Sequence, residues 1–190
     1  MIEESVKYWF PLRIRHSSNE KLAEMGEKLE KEATVDEIYI PTTFQKTSAT
    51  SMDFGPMFSN ILFVRTTLES LRRLKSQREK YERIRYLMHH DYDENFNTHP
   101  EIVKVSDKKM EDIKTIISHA NEQVVFLNNM NFACKPGQHV QITQGPFAGV
   151  VGVVKSYKKH LCVVVPIEDI GAVAVTSIPK KHLVYLADSR

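Results

Sequence analysis

Cysteine and glycine are scarce in this chain, and no long hydrophobic run interrupts it. The two cysteines among 190 residues, Cys134 and Cys162, are too few for a disulfide framework and too far apart for a Cys-x-x-Cys metal site. They read as reduced, partly buried thiols of a cytoplasmic protein. No stretch approaches the roughly 18 uninterrupted apolar residues that a membrane helix needs. The first residues, Met1-Ile2-Glu3-Glu4-Ser5, are acidic and lack the apolar core of a signal peptide. No P-loop, Gly-x-Ser-x-Gly elbow or dinucleotide fingerprint occurs, so neither an enzyme nor a cofactor is expected.

Metal-capable groups do occur in His89-His90-Asp91-Tyr92-Asp93 and at His99. Adjacent residues of a strand face opposite ways, however, and no His-x-x-x-His spacing is present, which argues against a metal. Nothing suggests a pocket around Asp91 and Asp93 for acid–base work. A hydrolase built on this segment is the third of three functional readings.

What the chain does have is 42% hydrophobic residues, enough for a packed core, and a charge asymmetry hidden by its net +2. Residues 65–85 carry a net +5 and residues 135–190 a net +4, whereas the segments before and between them are acidic. Basic clusters attract nucleic-acid phosphates by releasing counterions. They are equally what a solvated helix face looks like, and for 65–85 both readings stand.

Along the chain, Val6, Tyr8, Phe10, Leu12 and Ile14 occupy every second position, the mark of a strand with one buried face. Pro11 cannot donate to a ladder, so an exposed edge or a bulge is expected there. Ser17-Ser18-Asn19-Glu20 fits a capping box, and Leu22, Met25 and Leu29 form the buried stripe of the helix behind it. Strands are expected at 36–40 and 61–66, with a polar hairpin loop at 42–53 and an apolar turn at 54–60. Leu68, Leu71 and Leu74 mark a second helix, continued or broken toward Arg85. Short strands follow at 84–88 and 102–105, separated by a polar segment at 89–99. Ser106 or Asp107 caps a third helix with Met110, Ile113, Ile116 and Ile117 inside.

This order predicts an α+β fold, with helices packed on a mostly antiparallel sheet over residues 1–120. Residues 121–136 read as a linker in which Val124-Val125-Phe126-Leu127 must dock somewhere. From 137 to 190 every segment reads as strand, at 138–143, 149–156, 161–165, 172–176 and 182–186, which suggests a small barrel.

The most telling stretch is Gly137 to Val154. An alternating strand meets the turn Gly145-Pro146-Phe147-Ala148-Gly149, and an almost wholly apolar strand follows. Gly145 and Gly149 can supply the positive φ of a turn, while Gly152, inside a strand, marks a bulge or a close backbone approach. The stretch resembles the KOW motif, whose modules bind proteins or RNA. The first half has Tyr8-Trp9 on its first strand, a capped helix, and then Gly55-Pro56-Met57-Phe58-Ser59-Asn60-Ile61-Leu62-Phe63-Val64. It is similar to the NusG amino-terminal (NGN) domain. An NGN domain followed by a KOW module is the architecture of the NusG family of transcription elongation factors, and the chain is most like its specialised UpxY- and RfaH-type antiterminators.

The resemblance implies an NGN-like α/β sandwich ahead of an SH3-like KOW barrel. It also implies an apolar NGN patch docked on the clamp helices of the largest RNA polymerase subunit, which disfavours the paused state by differential affinity. By position the clamp-facing residues are Phe58, Ile61 and Phe63, with Trp9 or Phe10 nearby. The chain departs from the family at Ile61, where tyrosine is frequent, and at Arg13, where the specialised members can carry an aromatic residue. A basic NGN face could read the non-template DNA strand, with Arg65, Arg72, Arg73, Lys75 and Arg78 as candidates. The KOW module would recruit a partner such as a ribosomal protein or a termination factor. Phe147 is either an exposed contact at the turn tip or a cap folded back on the barrel. Lys155, with Lys158 and Lys159, is either a solvated turn residue or an RNA ligand. The competing class is a ribosome-associated or RNA-binding KOW protein acting in translation.

Overall fold

The computed structural model describes residues 5–16, 18–46, 52–56, 58, 60–92, 98–119, 123–127, 137–157, 160–167 and 170–187. The chain divides into two compact units, Met1–Asp107 and Lys108–Arg190.

In the first unit, strand β1 (Lys7–Ile14) is followed by helix α1 (Asn19–Glu30), strand β2 (Glu37–Tyr39), a hairpin of β3 (Thr42–Lys46) and β4 (Met52–Pro56), and strand β5 (Ile61–Thr67). Helices α2 (Leu68–Ser76) and α3 (Arg78–Tyr81) come next, then β6 (Ile84–Tyr86) and a second hairpin of β7 (Met88–Tyr92) and β8 (Thr98–Ile102). The main sheet has the order β2-β5-β1-β6 and is antiparallel throughout.

The expected period-2 face is there. Phe10, Leu12 and Ile14 are buried, and with Leu62 and Val64 of β5 they pack against Leu22, Met25 and Leu29 of α1 and Leu71 and Leu74 of α2. Pro11 does not lie at a sheet edge, because β1 is paired on both sides. Toward β6 its ladder spans only Leu12–Ile14, and two residues before Pro11, Trp9 exchanges hydrogen bonds of 3.0 and 2.8 Å with Val105. The alternation of an antiparallel strand turns the Pro11 nitrogen to that side, into the gap between the two partners. A missing donor costs nothing there.

Three local expectations shift. The cap of α1 is Ser18, whose Oγ accepts from the Lys21 backbone N–H at 3.3 Å. The residue three positions on is therefore Lys21, not Glu20, and the reciprocal arm of a capping box is missing. The segment read as a polar loop forms β3 and β4, with Phe44 opposite Phe54. The basic helix breaks at Gln77 into α2 and α3, and the Thr67 Oγ1 caps α2 by accepting from the Ser70 N–H at 3.2 Å.

The second unit holds helix α4 (Asp107–Ser118, its first residue at the boundary), then β9 (Val124–Leu127), β10 (His139–Ile142), β11 (Val151–Tyr157), β12 (His160–Ile167), β13 (Gly171–Thr176) and β14 (Leu183–Tyr185). They form one antiparallel sheet in the order β14-β10-β11-β12-β13-β9. Where five strands were expected, six pair. The extra one is Val124–Leu127, inside the stretch read as a linker, which pairs with β13 from Ala172 to Val175. Four consecutive apolar residues explain its docking, because Val125 covers the small-residue face formed by Cys162, Val164, Ala172 and Ala174. No helix among the described residues is long and apolar enough to cross a membrane.

Candidate functional site

The register of the first sheet sorts the expected contact residues onto two faces. Directly opposed residues of an antiparallel pair share a face, and β1 opposes β5 as Trp9↔Arg65, Pro11↔Phe63 and Arg13↔Ile61. Trp9, Ile61 and Phe63 thus share the face opposite to α1 and α2. The Phe58 ring meets Phe63 edge-on, with centroids 6.2 Å apart. Tyr39, opposite Phe63 on β2, joins the same face, and burial pushes its phenol up to about 12, so it carries no charge there.

Among the described residues these side chains do not form an exposed patch. Trp9 is 3% exposed, Phe58 2%, Ile61 5% and Phe63 0%. Phe10 is corrected outright, because it lies on the opposite face within the helix-covered core. Since Phe63 and Leu62 are both fully buried on opposite faces, the sheet is covered on both sides. Burial also changes what Ile61→Asp would test: a carboxylate at this position is a folding lesion before it is an interface lesion.

Five basic residues were candidates for a nucleic-acid face, and the structure divides them. Arg65 is committed within the protein: its Nη1 meets Asp36 at 2.9 Å, while Nε and Nη2 donate to Asp107 at 2.9 and 2.8 Å. The Asp107 bond, then the charges of Asp107 and Asp36, hold its guanidinium even more firmly cationic than usual. Arg73 pairs with Glu69 one helical turn earlier. The side chain of Arg78 lies outside the described residues.

Arg72 lines an open hollow of about 760 Å³ together with Lys75, Ser76, Arg85 and Tyr86, and the Lys75 Nζ donates to the Tyr81 carbonyl at 3.3 Å. A second hollow of about 450 Å³ shares Arg72 and Tyr86 and adds Leu68, Met88, Ile102 and Lys104. Tyr86 is pinned between them by donating its hydroxyl to the Leu71 carbonyl at 3.1 Å. Cations beside an aromatic ring make the arrangement that binds single-stranded nucleic acid, through phosphate pairing and base stacking. Glu79 and Glu82 also line the first hollow, and Glu101 the second, and they moderate the charge of both. Sequence reasoning missed Arg85, Tyr86 and Lys104. The only signal was their basic or aromatic type on short strands, and which helix they would face was not encoded locally.

In the second unit the turn glycines behave as expected, with φ of 84° at Gly145 and 92° at Gly149. Phe147 between them is only 2% exposed, and its ring meets the His119 ring edge-on at 6.2 Å. Of its two readings the structure takes the folded-back one, so Phe147 is not an open contact. Lys108 of α4 braces the same turn by donating to the Gly149 carbonyl at 3.2 Å and to Asp112 at 2.7 Å. Lys155 is half-buried, and its carbonyl accepts from the Cys162 thiol at 3.4 Å. Burial pushes that thiol upward in pKa and keeps it unreactive. Lys158 and Lys159 lie outside the described residues. An exposed apolar run, Val184, Tyr185 and Leu186, sits at the β14 edge and was not anticipated.

Comparison with known proteins adds one match of family type: the model of the KOW motif matches residues 136–165. No curated protein matches the chain. Among solved structures, one of NusG from Thermotoga maritima, described for its domain interaction, aligns over 96% of this chain and 98% of its own at 19% identity and a TM-score of 0.43. At that distance the likeness transfers neither structural detail nor function.

Proposed function

We infer that this chain is a transcription elongation factor of the NusG type, which engages RNA polymerase through its first unit and a further factor through its second. The observation that carries this reading is the KOW match at residues 136–165. What supports it further is the position of that motif behind an α+β unit whose sheet has a second apolar face, built from Trp9, Phe58, Ile61 and Phe63. On this reading the family's clamp helices are the partner of that face. Holding the clamp closed disfavours the paused state because the factor binds the closed form more tightly. The four residues are buried in the structure, so binding requires a state in which the face is uncovered.

Within the family the reading is that of a specialised antiterminator of the UpxY and RfaH kind, serving particular operons such as those for capsular polysaccharide. The paired hollows around Tyr86 favour a nucleic-acid contact, with the non-template strand as the ligand and Arg72, Lys75, Arg85 and Lys104 as its cations.

The test is transcription by purified RNA polymerase through a terminator, with and without the full chain, alongside its affinity for the enzyme. Readthrough with saturable binding is expected. Loss of an interface aromatic in Phe58→Ala costs about 2 kcal/mol, roughly thirtyfold in affinity, and a thermal melt separates this from unfolding. Co-sedimentation with ribosomes and no affinity for polymerase would replace this reading with the translational one.

A further inference from the structure

The two hollows beside α2 share Arg72 and Tyr86 and differ in what else lines them. The larger is polar, with Lys75, Ser76 and Arg85 set against Glu79 and Glu82. The smaller is walled by Leu68, Met88, Pro100, Ile102 and Tyr86, and its charged groups are Arg72, Lys104 and Glu101. Apolar walls, a few polar groups and a volume of about 450 Å³ are the features of a small-ligand site. A nucleotide is divided in the same way, an apolar base joined to an anionic phosphate.

Three observations favour a base in the smaller hollow. Tyr86 is fixed, because its hydroxyl donates to the Leu71 carbonyl at 3.1 Å. Arg72 belongs to both hollows, where a base seated in one and its phosphate in the other meet. The third is Glu101, an exposed residue of β8. The hollow runs along the edge of β8 away from β7, so that Pro100, Glu101 and Ile102 all reach it. A carboxylate repels phosphate and weakens a purely backbone contact. Among the described residues no hydrogen bond or ion pair engages Glu101, although Arg72 and Lys104 line the same hollow. Lys104 is instead drawn over the Tyr8 ring, 5.7 Å from its centroid.

We propose that the smaller hollow takes one unstacked guanine of a single DNA strand, with Tyr86 as its stacking ring and Glu101 as the residue that reads its edge. The proposal rests on the reading of the paired hollows as a nucleic-acid contact. An ionised carboxylate has two acceptor oxygens and no donor, and it pairs side by side with two adjacent N–H groups, as it does with an arginine fork. On its Watson–Crick edge, the edge by which unstacked bases are read, guanine offers such a pair in N1–H and the N2 amino group. Thymine presents one imino N–H between two carbonyls, which repel a carboxylate. Adenine and cytosine each present one amino group beside a ring acceptor. Arg72 and Lys104 meet the flanking phosphates.

The test is the affinity of the full chain for a fluorescent single-stranded oligothymidylate of about 12 nucleotides, plain or with one central thymidine replaced by deoxyguanosine or deoxyinosine. Deoxyinosine keeps N1–H and lacks the N2 amino group. The guanine strand should bind about tenfold more tightly than the plain one, as a bidentate base contact allows, with the inosine strand close to the plain one. Glu101→Gln should bring the guanine strand to within about twofold of the plain one, and should hold the plain strand at least as tightly as the parent does. Tyr86→Ala should weaken both strands at least about fivefold, whereas Tyr86→Phe, which keeps the ring, stays within about threefold. A thermal melt of each variant separates these effects from unfolding. No saturable binding to any strand overturns the nucleic-acid reading of the hollows, and the guanine pocket with it. Saturable binding without a preference for guanine, a preference that survives in Glu101→Gln, or full affinity in a folded Tyr86→Ala overturns the pocket alone.

Discussion

Adding one carbon to Gly152 tests how the second unit is held together. A Cβ at that position would stand 2.6 Å from the Val164 carbonyl oxygen, 2.8 Å from the Val163 Cγ1 and 3.1 Å from the Val164 carbonyl carbon. Two of those three atoms belong to the backbone of β12, which is locked to β11 and β13 on its two sides, so no side-chain rotation relieves the clash. The strands must part or bend. Overpacking a dense core costs about 1–3 kcal/mol, and a clash with backbone belongs at the top of that range. For a unit of this size each kcal/mol moves the melting point by about 4–8 °C, so Gly152→Ala should lower the melting temperature of the second unit by roughly 10–20 °C.

Gly145→Ala is the matched control. Nothing lies within 4 Å of its added Cβ, and its only burden is a φ of 84°, an energy of about 1–2 kcal/mol. Thermal unfolding followed together with amide exchange in β11 and β12 reads both variants. If Gly152→Ala melts no lower than Gly145→Ala, close approach of β11 and β12 is not why glycine stands at this position.

Phe10→Ala should cost about 3–5 kcal/mol in a denaturant titration, as a cavity in the helix-side core; its loss of polymerase affinity should track unfolding alone. Exchanging Arg72 and Lys104 for glutamine should make single-stranded DNA binding less salt-dependent, by roughly 0.7 in slope for each phosphate no longer neutralised. Arg65→Gln, which removes an internal ion pair, should leave that slope unchanged. The Glu32 carboxylate accepts from Lys80 and from the Tyr81 hydroxyl, and these bonds, Lys80's first, hold it below its ordinary value of 4.5. A lowered folded value means that this stabilisation is present above pH 4.5 and is lost as the pH falls through the folded value. Melts of Glu32→Gln against the parent should therefore differ at pH 7, draw together as the pH falls below 4.5, and converge only below the lowered folded value.

The strand at 7–14, its helix-facing stripe and the buried leucines of α1 and α2 were legible because local periodicity encodes them. The same holds for the Gly145–Gly149 turn, whose positive φ values only a few residue types tolerate. The hairpins at 42–56 and 88–102 were not legible. Their polar residues carry no strand signal, and what holds them is pairing with a partner some ten residues away. The register of the second hairpin sets His89 across from Glu101 and Asp91 across from His99, a neighbourhood that no spacing rule along the chain describes.

The residues alone determined which side chains are apolar, where the chain must turn and where cationic charge collects. The tertiary structure decided which of them meet solvent. Phe58, Ile61 and Phe63 have the composition of an interface and yet are sealed, whereas Arg72 of α2, Tyr86 of β6 and Lys104 of the segment after β8 share one pair of hollows. Burial depends on what packs from elsewhere in the chain, and the intrinsic character of a side chain cannot specify that covering.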